Sequence, residues 1–291
     1  MENLNSKPSY IFIVGVGRSG TKFLQSILTA HPQLNISTET HFLSSALHDG
    51  FIKTANKIGD LKDDKNLEAL VDKMFNNQIF GAFWKRRILK NKESILEKFK
   101  HSDRMFKSLF QIIIEEDKLQ NNKTIAGEKT PSHLYHVDTL LAWFPGAKVI
   151  QIIRHPTKVL ASEMHKNLKP DHPLKKGNVF YNLSLLFYVL INWNNAIKLD
   201  KKYKKKYPLN YMSVKYEDLM NDHENNVVRL CKFLNIQFYK EMLNPPVRGS
   251  SFADGNKTAD QPEKKHLSNK QFNSIINLFL RKKLKQYNYL N

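Results

Sequence analysis

An apolar run, Tyr10 to Val14, leads directly into Gly15-Val16-Gly17-Arg18-Ser19-Gly20-Thr21-Lys22, and a helical pattern starts at once. Leu24, Ile27 and Leu28 mark one face of that helix, and His31-Pro32 stops it. A strand at 10–15, a glycine loop at 15–20 and a helix over 21–30 make the context in which backbone holds a phosphate. Glycines let the chain turn tightly and aim N–H groups at an anion. The helix N-terminus adds partial positive charge. Arg18 and Lys22 supply full charges, and Ser19 and Thr21 supply hydroxyl donors. The loop departs from the nucleotide triphosphatase pattern, in which a lysine is followed by a hydroxyl residue that holds magnesium. Here Lys22 is followed by Phe23, and Thr21 precedes it. A site of this kind binds phosphate with protein cations and no metal.

The rest of the chain alternates strands and helices, which predicts an α/β fold with a central parallel sheet covered on both sides. Strands are expected at 34–37, 124–127, 148–153 and 211–214, the run at 148–153 being the clearest central strand. Helices are expected over 132–143, from Thr157, over 179–203 and 222–234, and from Ser268. Residues 44–120 read as a mostly helical insertion within one domain spanning 1–291. The single cysteine, Cys231, lies in an apolar helical pattern and reads as a core thiol. No apolar run approaches the ~20 residues that span a bilayer. The polar stretch Met1 to Ser9 lacks the character of a signal peptide, so a cytoplasmic location is expected. The net charge of +19 favours anionic partners, but the lysines are spread along the chain. No nucleic-acid motif or aromatic–basic interleaving accompanies them, so nucleic acid is not expected as a partner.

A second signal is Arg154-His155-Pro156 with Ser162. Arg154 leaves the carboxyl end of a strand, and Ser162 lies about two turns along the next helix. Strand carboxyl ends form the ligand crevice of open α/β sheets. A guanidinium and a hydroxyl there suit a further phosphate group.

Residues 12–43 with 127–162 resemble the sulfotransferases that use 3′-phosphoadenosine 5′-phosphosulfate (PAPS). The glycine loop is similar to their 5′-phosphosulfate loop, and Arg154 to Ser162 has the spacing of their 3′-phosphate site. Glu39-Thr40-His41-Phe42 resembles the segment with the catalytic glutamate in tyrosylprotein and heparan sulfate sulfotransferases. Gly127-Glu128-Lys129-Thr130-Pro131 is similar to a stretch of the glycan enzymes, and Val214 to Leu219 to a frequent family feature.

The resemblance implies a P-loop fold and an in-line displacement run mainly by positioning and electrostatics. Glu39 is the implied general base. Lys22 would stabilise charge on the departing phosphate oxygen, with Gly17, Arg18, Ser19, Gly20 and Thr21 around the 5′-phosphate. Arg154 and Ser162 would read the 3′-phosphate, and a loop through Lys257 would close over the nucleotide. His41 is a candidate second acid–base or acceptor-binding group. Lys129 serves either the acceptor or an ion pair at a strand end, and Glu217 and Asp218 fix loops. The acceptor is a glycan, a lipid headgroup, a peptide tyrosine or a small metabolite, and the basic charge favours an acidic one. The competing reading is a P-loop small-molecule kinase or other nucleotide-dependent transferase. The sequence sets no oligomeric state.

Overall fold

A computed structural model describes residues 8–43, 51–76, 91–166, 179–245 and 270–290. Five strands form one sheet: β1 (Tyr10–Gly15), β2 (Leu34–Ser37), β3 (Ile125–Lys129), β4 (Lys148–Ile153) and β5 (Tyr211–Lys215). Their order is β2-β3-β1-β4-β5, and every pair is parallel. The expected α/β architecture with a parallel sheet between helical layers is thus present. The middle place goes to β1, with β4 beside it in the interior. The chain steps to one side of β1 for β2 and β3 and to the other for β4 and β5. The loop after β1 therefore faces the crevice where the order reverses.

Alternation along β1 builds both layers. Tyr10, Phe12 and Val14 enter one buried cluster, and Ile11 and Ile13 enter the other. The first cluster holds the helices of the 51–120 region, Phe51–Ala55, Asp64–Phe75, Lys92–Lys100 and Phe106–Gln120, with Val179–Lys206 and Lys270–Gln286. Stacked aromatics tie that layer to the sheet and to the segment after β2: Phe12 of β1 lies 6.1 Å from Phe110, and Phe42 lies 4.8 Å from both Phe51 and Phe110 between ring centroids. The second cluster holds the first helix, α1 (Thr21–Thr29), and the helix His223–Leu234. Cys231 is buried there against Met242, and burial pushes its thiol up to about 11, which fits a core thiol.

Two differences from expectation lie near the crevice. β3 runs to Lys129, because its pairing with β1 continues to Ile13↔Lys129. Residues 131–143 divide into a 3₁₀ turn, Pro131–His136, and a short helix, Val137–Trp143. Before that turn Thr130 spends its hydroxyl on Glu128, and within it His133 is held by Glu128 and the Leu43 amide. That tether keeps the first turn tight.

Candidate active site

Two glycines of the loop, Gly15 and Gly20, are needed for contact as well as for conformation. A Cβ at Gly15 would lie 2.7 Å from the Ile152 carbonyl oxygen. Gly20 has φ 98°, and a Cβ there would meet the Tyr216 ring at 2.4 Å. Arg18 also takes the left-handed conformation, with φ 64°. Ser19 and Thr21 are buried, whereas Lys22 is exposed on the first turn of α1. The Ser19 hydroxyl oxygen is buried and has no hydrogen-bond partner among the described residues, a state that native interiors rarely tolerate unless a ligand completes it.

The two sequence signals meet in space. Arg18 donates from Nε to Ser162 Oγ at 3.1 Å, and Arg154 donates from Nη1 to the Arg18 carbonyl at 3.2 Å. The Arg154 guanidinium lies 4.3 Å above the Tyr216 ring. Arg18 thus links the two signals, its guanidinium on the Ser162 hydroxyl and its carbonyl on the Arg154 guanidinium, which brings two cationic side chains to neighbouring positions suited to an anion. Arg18, expected at the 5′ side with the rest of its loop, reaches across to Ser162. Tyr216 and Trp193 also belong here. Trp193 Nε1 donates to the Arg154 carbonyl at 2.9 Å. Tyr216 lies in the Val214 to Leu219 stretch that resembles a family feature, whereas Trp193 has no sequence signal beyond helical patterning.

Across the crevice, Lys129 at the end of β3 pairs with Glu39. The lysine side chain is fully buried and the glutamate is 29% exposed, so the carboxylate keeps access to the crevice. His41 Nε2 lies 3.8 Å from Glu39 Oε2. The segment bearing Glu39 is pinned from below by Glu128. That carboxylate accepts from the Thr40 amide and hydroxyl at 3.0 Å each, from the Thr130 hydroxyl and from His133 Nδ1 at 3.1 Å. Thr130 Oγ1 in turn accepts from the amides of Thr40 and His41. Burial alone would raise the Glu128 carboxyl; His133, Thr130 and the Thr40 amide outweigh it and hold it below its usual value. His133 Nε2 accepts from the Leu43 amide, so the ring proton sits on Nδ1.

The model of the sulfotransferase family matches residues 8–241. This chain belongs to the sulfotransferase family. A putative protein-tyrosine sulfotransferase of Caenorhabditis briggsae is 24% identical over 241 residues, covering 83% of this chain and 70% of the relative. An omega-hydroxy-beta-dihydromenaquinone-9 sulfotransferase of Mycobacterium bovis is 30% identical over 110 residues, 37% of this chain and 28% of the relative. Among solved structures, the sulfotransferase domain of the Synechococcus PCC 7002 olefin synthase shares the fold with a TM-score of 0.56. It is 17% identical, covering 94% of this chain and 95% of that one. The sulfotransferase domain of the curacin biosynthetic pathway has a TM-score of 0.51 at 19% identity, covering 95% of this chain and 99% of that one. Membership decides between the two enzyme readings in favour of the sulfotransferase over the kinase.

Lys257 and its loop lie outside the described residues of the sulfotransferase. Glu217 lies behind the Arg154 turn, where its Oε1 accepts from the His155 amide at 2.8 Å. His155 caps the helix that follows: its Nδ1 accepts from the Thr157 amide, and it contacts the Thr157 hydroxyl at 2.7 Å. Burial, with the nearby Lys158 charge, pushes the His155 pKa down to about 4. The unfolded chain binds this proton at an ordinary 6.5, so the folded form holds fewer protons between those values. Stability is then fully present above pH ~6.5 and is lost as pH falls toward ~4. We expect urea unfolding to report a loss of about 1–2 kcal/mol over that interval, discounted for partial exposure. The loss should shrink in His155→Asn, which keeps a helix cap and has no titrating group. An unchanged pH slope in the variant would show that other groups carry it.

Proposed function

We propose that this sulfotransferase takes PAPS as donor and passes the sulfuryl group to a hydroxyl or amine acceptor by in-line displacement. The observation that carries this reading is the meeting of Arg18, Arg154 and Ser162 beside the glycine loop, which we read as two anion sites in one crevice. A nucleotide with phosphate at both its 3′ and 5′ ends suits two such sites. The residues fit the 5′ end as well. The buried Ser19 hydroxyl lacks a partner among the described residues, and α1 presents its N-terminus at the loop.

In this reading Glu39 takes the acceptor proton on its carboxylate, and Lys129 orients that carboxylate from the buried side. Lys22, at the first turn of α1, supplies positive charge where the leaving phosphate oxygen gains negative charge. His41 borders the acceptor side. The names of the two relatives refer to a protein tyrosine and to an omega-hydroxy menaquinone, which supports a hydroxyl acceptor. The charge of +19 favours an acidic one. Position 23, which carries a metal-binding hydroxyl in magnesium-dependent loops, is here a buried phenylalanine packed 6.1 Å from Tyr216 and 5.8 Å from His223.

Incubation with sulfur-labelled PAPS and mixed acceptors, read by mass spectrometry, should show products gaining one sulfuryl group. Excess chelator should leave the rate essentially unchanged. No labelled product from glycan, lipid, peptide or small-molecule pools would contradict the reading. Loss of turnover in chelator with rescue by Mg²⁺ would contradict the cation-only site.

A further inference from the structure

The peptide group that follows Arg154 is held at both ends. Its carbonyl accepts from Trp193 Nε1, and its N–H, that of His155, donates to Glu217 Oε1 at 2.8 Å. Fixing that peptide plane fixes the backbone direction from which the Arg154 side chain leaves β4. Glu217 is itself held from the far end of the chain. The Tyr289 hydroxyl donates to Glu217 Oε2 at 2.9 Å and lies 3.4 Å from the Ile153 carbonyl oxygen. The Tyr289 ring meets the His155 ring edge-on, at 5.0 Å between centroids.

The tail reaches this point by a defined turn. The helix Lys270–Gln286 ends with Asn288 in the left-handed conformation, φ 54°. Tyr289 N donates to the Leu284 carbonyl and Asn288 N to the Lys285 carbonyl, the paired bonds of a Schellman turn. Tyr287 is anchored on the buried Asp200, and Lys215 donates to the Tyr287 carbonyl at 3.5 Å and sits 5.3 Å from the centre of the Tyr289 ring. All of these tail residues lie beyond residue 241, where the family match ends. Burial and the Glu217 charge raise the Tyr289 pKa, so its hydroxyl stays a donor at neutral pH.

We infer that Tyr289 is a positioning residue for the 3′-phosphate site, acting through Glu217 and the Arg154–His155 peptide. The inference rests on the reading that Arg154 binds the 3′-phosphate. It makes the C-terminal tail a determinant of nucleotide selectivity in a chain whose family-matched region lacks that tail.

Calorimetry of the full chain with adenosine 3′,5′-bisphosphate and with adenosine 5′-phosphate tests it. Tyr289→Phe, which keeps the ring against His155, should weaken the bisphosphate by about five- to twentyfold and leave the monophosphate within about twofold. Glu217→Gln, which retains one acceptor oxygen for two donors, should show the same selectivity. In an Arg154→Ala background Tyr289→Phe should have no further effect, because the group it positions is gone. Equal weakening of both nucleotides, an unchanged bisphosphate affinity, or a full additional loss in the Arg154→Ala background would each overturn the inference while wild type still prefers the bisphosphate. A wild type with no such preference would overturn the Arg154 reading and this inference together.

Discussion

Glu39→Gln is expected to lower sulfuryl-transfer turnover by roughly 10²- to 10⁴-fold while nucleotide affinity moves by no more than about twofold. The substitution keeps the side-chain shape and removes the proton acceptor. The carboxylate it replaces is well placed for that work. It follows β2, pairs with the buried Lys129, and sits on a segment whose Thr40 and His41 amides are held by Glu128 and Thr130. The nucleotide residues lie on other elements, the loop after β1 and the turn after β4, so their geometry should survive. Lys129 loses its partner, but Glu39 is 29% exposed and water can solvate part of the charge left behind. The stability cost should therefore be about 1–2 kcal/mol, below that of breaking a sealed pair. Steady-state rates, nucleotide titration and thermal unfolding of the same preparation separate the effects. Normal turnover, or a matching loss of nucleotide binding, would remove Glu39 from the role of base.

Arg154→Ala should weaken adenosine 3′,5′-bisphosphate by roughly ten- to more than a hundredfold, the range for a lost charge-assisted hydrogen bond, and barely affect adenosine 5′-phosphate. Arg154 is buried, stacked over Tyr216 and tied to the Arg18 carbonyl, so its guanidinium has little freedom to point elsewhere. Ser162→Ala should show the same selectivity with a smaller loss, since Ser162 shares the corner with Arg18. Arg154→Lys keeps the charge but lacks the planar fork and the stacking, and it should recover only part of the affinity. Equal weakening of both nucleotides by Arg154→Ala would assign the residue to the 5′ end or to the frame.

How much of this was legible in the sequence follows from distance along the chain. The glycine loop was legible because strand, turn and helix are contiguous, and all five strands were marked by short apolar or β-favouring runs. Arg154 and Ser162 were legible together for the same reason, since the helix that carries Ser162 starts two residues after Arg154 at the strand end. The Arg18–Ser162 bond joins positions 144 residues apart, and no local pattern encodes it. The role of Glu128 was hidden likewise. Its motif stood out, but its partner Thr40 lies 88 residues away, and only the pairing of β2 with β3 brings the two together. The place of β1 at the middle of the sheet follows from which edges the helices cover, which strand composition alone does not specify. The tail was legible as a helix from its apolar spacing. Its hold on Glu217 depends on a left-handed asparagine and a chain reversal, and helical periodicity carries no trace of either.

Two anion sites in one crevice should select a nucleotide phosphorylated at both ends. The most direct test is calorimetric titration of the wild-type protein, in chelator, with adenosine 3′,5′-bisphosphate and adenosine 5′-phosphate side by side. The bisphosphate should bind at least about tenfold more tightly, with no metal required. Equal affinity for the two nucleotides, or binding that appears only with Mg²⁺, would contradict the two-site reading.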